Sequence, residues 1–294
     1  MLISIITLNY KKENLTISCM ESLYQQFKEE FEKDLIELII VDNASGQDSV
    51  DVIRNNISKN QYQNVKLIES SENGGFGKGC NLGVKQAEGE YLLFLNNDTV
   101  VKDAGILKMA KYLGENQNVS ILGGQLRNVD GSLQASAGSF YTLFKAIMLL
   151  VGMQKFGLLD KSPSQIKRVD WVKGGLLMIR KNVFEKLKGF DEKIFMYTED
   201  MELCYRAKLK GFETYFYPFT YVLHAEHGST NRTFAIVNIY KNLLYFYKKH
   251  RSFLEYLILK TFLIIKAYLL IIIGIVTNNK YLKETYKEAL LAIK

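Results

Sequence analysis

Tyr91-Leu92-Leu93-Phe94-Leu95-Asn96-Asn97-Asp98-Thr99 decides how this chain is read. An apolar run ends abruptly in two amides, a carboxylate and a hydroxyl. The run reads as a strand covered on both faces, which is how parallel strands look in sequence. Its polar end then falls at a carboxyl edge, where open α/β sheets bind their ligands. Hard oxygen donors in that place suit Mg2+ or Mn2+ holding phosphate better than zinc. A strand running into an ordinary Asn/Asp turn has the same local look, so the flanking sequence must decide.

The pattern recurs upstream. Residues 2–8 are almost continuously apolar and end in Thr7-Leu8-Asn9-Tyr10. They carry no basic leader, so they read as a strand and not as a signal peptide. A helix is expected over 15–27, with Leu15, Cys19, Leu23 and Phe27 every fourth residue. A second strand over 35–41 ends in Asp42-Asn43-Ala44-Ser45, followed by a helix over 48–57 and a short strand over 65–68. Strands alternating with helices predict βαβ units and a parallel sheet. Glu72-Asn73-Gly74-Gly75-Phe76-Gly77-Lys78-Gly79 reads as a loop leading into a helix over 80–87. It is neither a Walker A sequence nor a GxGxxG fingerprint, since Cys80 stands where the last glycine would fall. ATPase and dinucleotide readings lose support. The glycines supply either positive-φ turns or a backbone that a nucleotide can approach closely.

Composition sets the frame. The 294 residues are 48% apolar with only 2 prolines, enough for a sizeable core and against wholesale disorder. Cys19, Cys80 and Cys204 show no paired or zinc spacing and point to a reducing compartment. The net charge of +7 is local: residues 240–294 hold ten Lys/Arg against three Glu, leaving 28 of each sign in the first 239 residues. A neutral body with a basic tail is not a nucleic-acid-binding pattern; a basic, aromatic, apolar tail suits anionic lipid or a subunit interface.

Further along, a helix is expected over 103–114 and a strand over 119–124. Residues 125–168 give a poor signal, with a turn at Asn128-Val129-Asp130-Gly131 and an apolar aromatic stretch over 140–156, an insertion or lid, or an ordinary packed helix. Trp171, the only tryptophan, precedes Gly174-Gly175 and a strand over 176–179; it would stack on a sugar ring or fill the core. A helix over 181–187 follows. Thr198 then reads as the N-cap of a helix running to about Lys210, with Glu199 and Asp200 in its first turn. There the helix dipole is expected to keep a carboxyl pKa low, as suits a base that takes a proton from a sugar hydroxyl. Acids are also common at helix starts for stability alone. A strand over 213–217, a break at Pro218 and a short strand reaching His224 and His227 close the region.

Taken in order, Thr7-Leu8-Asn9-Tyr10, Asp42-Asn43-Ala44-Ser45, Asn73 through Asn81, Leu95-Asn96-Asn97-Asp98, Gly174 through Arg180, Gly189-Phe190-Asp191, Glu199-Asp200 with Leu203-Cys204-Tyr205-Arg206, and His224 with Gly228-Ser229 resemble the family-2 glycosyltransferases. Within them the chain is most similar to the bacterial rhamnosyltransferase-like branch, over roughly residues 1–230. The resemblance implies an α/β GT-A fold with a Rossmann-like, mostly parallel sheet and inverting transfer from a UDP- or dTDP-type sugar, assisted by Mg2+ or Mn2+. It implies that Asp42 contacts base or ribose, with Thr7, Asn9, Asn43 and Ser45 around it, and that Asn73, Gly75, Lys78, Asn81 and Asn97 line the nucleotide sugar. Asp98 would be the acidic metal ligand; Asn96 and Asn97 fill the two earlier positions, so this motif offers one carboxylate. His224 would be the second ligand, with His227 its rival. Asp200 would be the general base, with Glu199, Trp171 and Gly175 toward the acceptor, a glycan or lipid-linked hydroxyl in cell-surface polysaccharide synthesis.

The implied layout is a transferase domain over 1–235, with a nucleotide half over about 1–100 and an acceptor half over about 101–235, then a helical tail over 236–294. Residues 240–276 read as one helix lying in a membrane interface, with Lys248, Arg251, Glu255 and Lys266 on one stripe and lysines snorkelling to water. Its strongest apolar run, 267–276, is about half of a spanning length. Packing on the body or on a second copy is the alternative. This places the protein in the cytoplasm, peripheral on the inner face of a bacterial plasma membrane, with oligomerisation open. Two other functions remain: a sugar-nucleotide-binding partner without catalysis, and a nucleotidyltransferase, against which residues 7–14 supply no glycine for a triphosphate loop.

Overall fold

Residues 1–153, 162–225 and 232–293 are described by the computed structural model. The apolar runs become strands and the 3.6-period segments become helices. The order is β1 (Ile3–Asn9), α1 (Glu13–Glu32), β2 (Ile36–Asp42), α2 (Gln47–Asn60), β3 (Val65–Glu69), α3 (Gly75–Val84) and β4 (Tyr91–Leu95). There follow β5 (Thr99–Val101), α4 (Gly105–Glu115), β6 (Val119–Arg127), β7 (Ala137–Gly138), α5 (Leu143–Leu150), β8 (Lys167–Val169), β9 (Trp171–Val172) and β10 (Leu176–Arg180). The chain closes with α6 (Lys181–Lys186), α7 (Glu199–Leu209), β11 (Glu213–His224), α8 (Arg232–His250), α9 (Phe253–Val276) and α10 (Lys280–Ala292).

Contacts divide the chain into two units. The first is Met1–Phe140, Asp160–Phe195 and Glu199–Ser229; the second is Tyr141–Leu159, Met196–Thr198 and Thr230–Lys294.

The first unit is built on a sheet ordered β3-β2-β1-β4-β10-β6-β11-β5, with β8 also on β11. β1, β2, β3 and β4 are mutually parallel; β10 runs against β4 and β6, and β6 and β11 are parallel. Six strands therefore share one direction, and the sheet is mostly parallel. Both faces are covered, which is why these strands lack polar alternation. On one face Ile3, Ile5, Leu38, Ile40, Leu93 and Leu95 join the buried side chains of α1 and α4. On the other, Phe94 meets Phe184 and Phe190 at ring-centroid distances of 5.2 and 4.8 Å.

Three expected boundaries move. The glycine-rich stretch is not a loop: α3 begins at Gly75 and contains Gly77, Gly79 and Gly83. A Cβ at Gly79 would sit 2.9 Å from Leu8, and one at Gly83 would sit 2.9 Å from Ile6. Close helix-on-sheet packing outweighs glycine's poor helix propensity here. Pro218 does not end a strand; β11 is continuous, and its register against β6 shifts between Phe216 and Tyr221. That irregularity accommodates a residue that has no N–H for the ladder. The tail is not one helix: Ser252 caps α9 in a reciprocal box with Glu255, separating it from α8. Lys248 and Lys266 therefore lie on different helices.

In the second unit α9 packs against α8, α10 and α5. Leu259, Leu263, Ala267 and Gly274 form its buried seam. Its opposite face is apolar as well, through Phe253, Leu254, Leu257, Ile265, Leu269 and Ile272, all exposed. Lys266 does not snorkel outward: its Nζ donates to Leu150 O, near the rings of Tyr240 and Tyr286. Burial lowers that ammonium to about 8.

Gly75 has φ +82°, and a Cβ there would lie 2.0 Å from Phe195 O. Gly75→Ala is expected to destabilise the protein by about 1–3 kcal/mol or more. Denaturant unfolding checks this; an unchanged midpoint would show that the Phe195 carbonyl can yield.

Candidate active site

The polar ends of the parallel strands meet at one edge. Asn9, closing β1, pairs in register with Asp42, closing β2. The Asn9 amide donates to Asp42 Oδ1 at 2.7 Å, to Ser45 Oγ at 3.1 Å and to Ser49 Oγ at 3.0 Å. Its oxygen accepts from Thr16 Oγ1 at 2.9 Å, and Thr16 accepts from Asn97 at 2.9 Å. Asp42 Oδ2 accepts the Ser45 N–H at 2.8 Å. One network thus joins Asn9, Asp42, Ser45 and Asn97. Asn43 extends this edge to α3, donating to Asn73 Oδ1 at 3.0 Å and Gly75 O at 3.1 Å. The Asn43 Oδ1 and Thr7 Oγ1 atoms are buried without a hydrogen-bond partner among the described residues.

Other expected residues are used inside the protein. Asn81 clasps the Gly189 turn, donating to Phe190 O at 3.0 Å and accepting from Phe190 N at 2.9 Å. Lys78 pairs with Glu72 at 2.5 Å. Trp171 is buried and donates to Ser139 O at 3.2 Å. His227 lies outside the described residues.

The two chemical centres of the sequence come together. β10 runs opposite to β4, so its beginning lies beside the end of β4, with Leu176 opposite Leu95. Asn96 N donates to Gly175 O at 3.4 Å, and Gly174 N donates to Asp200 Oδ2 at 3.0 Å. On the other side His224, the last residue of β11, pairs with Thr99. His224 Nε2 lies 3.3 Å from Asp98 Oδ1 and 3.1 Å from Asn96 Nδ2. Asp200, Gly174-Gly175, Asn96, His224 and Asp98 are therefore consecutive in one line of contacts.

This pair fits a divalent cation. An amide nitrogen only donates, so the Asn96 contact makes His224 Nε2 an acceptor. Asp98 Oδ1 is buried with no hydrogen-bond partner among the described residues. Two lone pairs face one another, as a carboxylate and an imidazole do when they share a metal. Among the described residues no group of three or more His, Cys, Asp or Glu is arranged for a metal; Mg2+ in phosphate sites is held by one or two carboxylates together with substrate oxygens and water.

At the helix start the expected cap and charge state differ. Thr198 makes no side-chain cap: it and Tyr197 have φ of 73° and 69°, and the Thr198 hydroxyl has no hydrogen-bond partner among the described residues. A β-branched residue in that region is strained, and such strain collects at functional sites. The carboxyl pKa values move up, against the helix dipole. Burial, reinforced by the Asp200 charge, pushes Glu199 up to about 8. Burial raises Asp200 too, offset by N–H bonds from Gly174 and Met201 and by the Lys173 charge. Desolvation outweighs a dipole effect worth about 0.3–1 kcal/mol. Glu199 keeps its proton to about pH 8, and the N–H bonds from Gly174 and Met201 favour the charged form of Asp200. Gln134 was missed in sequence: its Oε1 lies 2.9 Å from His224 Nδ1.

A model of glycosyl transferase family 2 matches residues 4–187. The chain belongs to glycosyl transferase family 2. A model of the N-terminal domain of galactosyltransferase also matches residues 165–228. Relatives include rhamnosyltransferase WbbL of Escherichia coli (30% identical, covering 54% of this chain and 64% of that protein). Another is the N-acetylglucosaminyl-diphospho-decaprenol L-rhamnosyltransferase of Mycobacterium tuberculosis (27% identical, 58% and 62% covered). The chain spans less than two thirds of the length of these curated relatives. Among solved structures, the mannosyltransferase PcManGT of Pyrobaculum calidifontis in complex with GDP-Man and Mn2+ has a TM-score of 0.59 at 14% identity, covering 99% of this chain and 85% of that one. At that identity the likeness is one of fold, the GT-A arrangement.

The raised Glu199 pKa sets a sign for stability. The folded protein holds this proton to about pH 8, whereas an ordinary Glu releases it near 4.5. Between these values the folded state binds more protons, so stability falls as pH rises. The melting temperature is expected to drop across this window, and Glu199→Gln is expected to flatten the drop. A wild-type profile that is level over the window would refute the buried acid.

Proposed function

We propose that the protein is an inverting glycosyltransferase that moves a sugar from a UDP- or dTDP-type nucleotide sugar to a hydroxyl of a glycan or lipid-linked acceptor in cell-surface polysaccharide synthesis. The observation that carries this reading is the line of contacts joining Asp200 to Asp98 and His224 at one sheet edge. The polar network of Asn9, Asp42 and Asn43 beside it suits the nucleoside. Asp98 and His224 would hold Mg2+ or Mn2+, which when bound stabilises charge on a departing diphosphate. Asp200 takes the proton of the acceptor hydroxyl as its oxygen bonds to the anomeric carbon; the bond from that carbon to the phosphate oxygen breaks, and its electron pair leaves with the diphosphate. A base fixed by Gly174 N and Met201 N is oriented for that transfer. Glu199 and the turn at Gly175 stand beside it toward the acceptor. The rhamnosyltransferase names of two relatives favour a deoxyhexose or hexose donor, and the decaprenol in one name favours a lipid-linked acceptor.

The second unit supports a membrane-surface location. Among the described residues α9 is the one helix long and apolar enough to span a membrane by length and composition. Its 24 residues are covered by protein along one side only, which favours lying in the interface. A lipid-facing side without charge and a basic cluster at Lys248, Lys249 and Arg251 match anionic lipid. The covalent link then keeps the sheet unit near lipid-linked substrate on the cytoplasmic face.

Asp200→Asn is expected to lower transfer by about 10²–10⁴-fold while donor binding by calorimetry persists. Equal turnover in that variant would remove Asp200 from the role. In sedimentation with vesicles containing phosphatidylglycerol, the protein is expected to pellet, and Ile265→Asp with Leu269→Asp to stay in solution. Wild-type protein that remains in the supernatant would refute the lipid face.

A further inference from the structure

Gln134 belongs to no helix or strand and to no motif, yet it is 5% exposed and bonded at every polar atom. It follows the hairpin at Asn128–Ser132, where its N–H donates to Leu126 O at 3.0 Å and its carbonyl accepts from Gln125 Nε2 at 2.8 Å. Gln134 is thereby tied to β6, the strand beside β11, whose last residue is His224. The side-chain Nε2 donates to Asn128 Oδ1 at 2.7 Å and to His224 O at 3.0 Å. Both amide hydrogens are thus directed at oxygens, and the amide orientation follows from them. The atom that faces His224 Nδ1 at 2.9 Å is therefore the oxygen Oε1. An amide oxygen only accepts, so Nδ1 carries a ring proton, and in the neutral ring Nε2 presents its lone pair. The Asn96 amide on the far side of the ring requires the same tautomer.

We propose that Gln134 is a positioning residue for cation binding: its amide oxygen fixes His224 as the Nδ1–H tautomer and turns Nε2 toward Asp98. This rests on the reading of Asp98 and His224 as cation ligands. Outer partners of this kind are worth about 10–100-fold in metal affinity.

The test uses the full chain, labelled with 15N-histidine, and Mn2+ alone as the probe. Ring 15N spectra read the tautomer, with the His224 signals identified by their loss in His224→Ala; electron paramagnetic resonance of free Mn2+ reads affinity. Gln134→Leu is expected to mix the tautomers and weaken Mn2+ by about 10–100-fold. Gln134→Glu keeps an acceptor opposite Nδ1 but loses both Nε2 donors. It is expected to keep the tautomer and bind Mn2+ at least as tightly as wild type. A purely structural role through the Nε2 donors would impair Leu and Glu alike, and that result overturns the proposal. If Gln134→Leu does not fold, the Glu variant decides alone: retained affinity supports the proposal and lost affinity overturns it. If His224→Ala loses Mn2+ while Gln134→Leu binds normally, Gln134 alone is overturned. If His224→Ala binds Mn2+ like wild type, the cation reading fails and the proposal fails with it.

Discussion

Strand direction is the constraint on which the first unit depends. β1, β2, β4, β6 and β11 run the same way, so the polar residues that end them lie on one edge. Asn9, Asp42, Asn96 through Asp98 and His224 are separated by up to 215 positions in sequence, from 9 to 224. They meet because each strand stops at that edge. A side chain at the end of a buried strand keeps access to ligand while its backbone is fixed by two neighbours, which is the rigidity that a site needs. β10 enters against the others, and so contributes its beginning: Gly174 and Gly175 reach the edge only because the strand is antiparallel.

Electrostatics at this edge follow from burial more than from helix position. Glu199 and Asp200 sit where a helix N-terminus favours charge, but the loss of water costs more than the dipole returns. Burial disfavours charge on both carboxyls, and hydrogen bonds favour it on one of them. Gly174 and Met201 direct theirs to Asp200, whereas Glu199 Oε2 has none among the described residues. At the other end, Asp98 and His224 face each other as acceptors, a pairing that repels unless positive charge lies with it. The edge therefore has facing acceptors at one end and a hydrogen-bonded carboxylate at the other, joined through Asn96 and the glycine turn.

The second unit obeys a different rule. A helix in water buries its apolar stripe and shows its polar one; α9 buries Leu259, Leu263 and Ala267 and shows Phe253, Leu254, Ile265 and Leu269. Its lysine at 266 turns toward protein. An apolar outer face of this extent marks a surface meant for something other than water.

Much of this was legible in the sequence. Alternating strands and helices, polar strand ends, and the carboxylates at 98, 199 and 200 are local patterns, set by covalent order and by side-chain chemistry. Ser252 and Glu255 also spell a capping box, but the long apolar stretch around them hid the helix boundary. What sequence could not decide depended on contacts between distant segments. The glycines of α3 became helical because Ile6 and Leu8 lie underneath, and Pro218 stayed in its strand because β6 tolerates a register shift. Gln134 acquired its place from His224, ninety positions away, and the carboxyls at 199 and 200 their raised pKa from burial. Sequence determines which groups are present and where strands end; desolvation, packing and hydrogen-bond partners are properties of the assembled chain, and only the tertiary structure decides them.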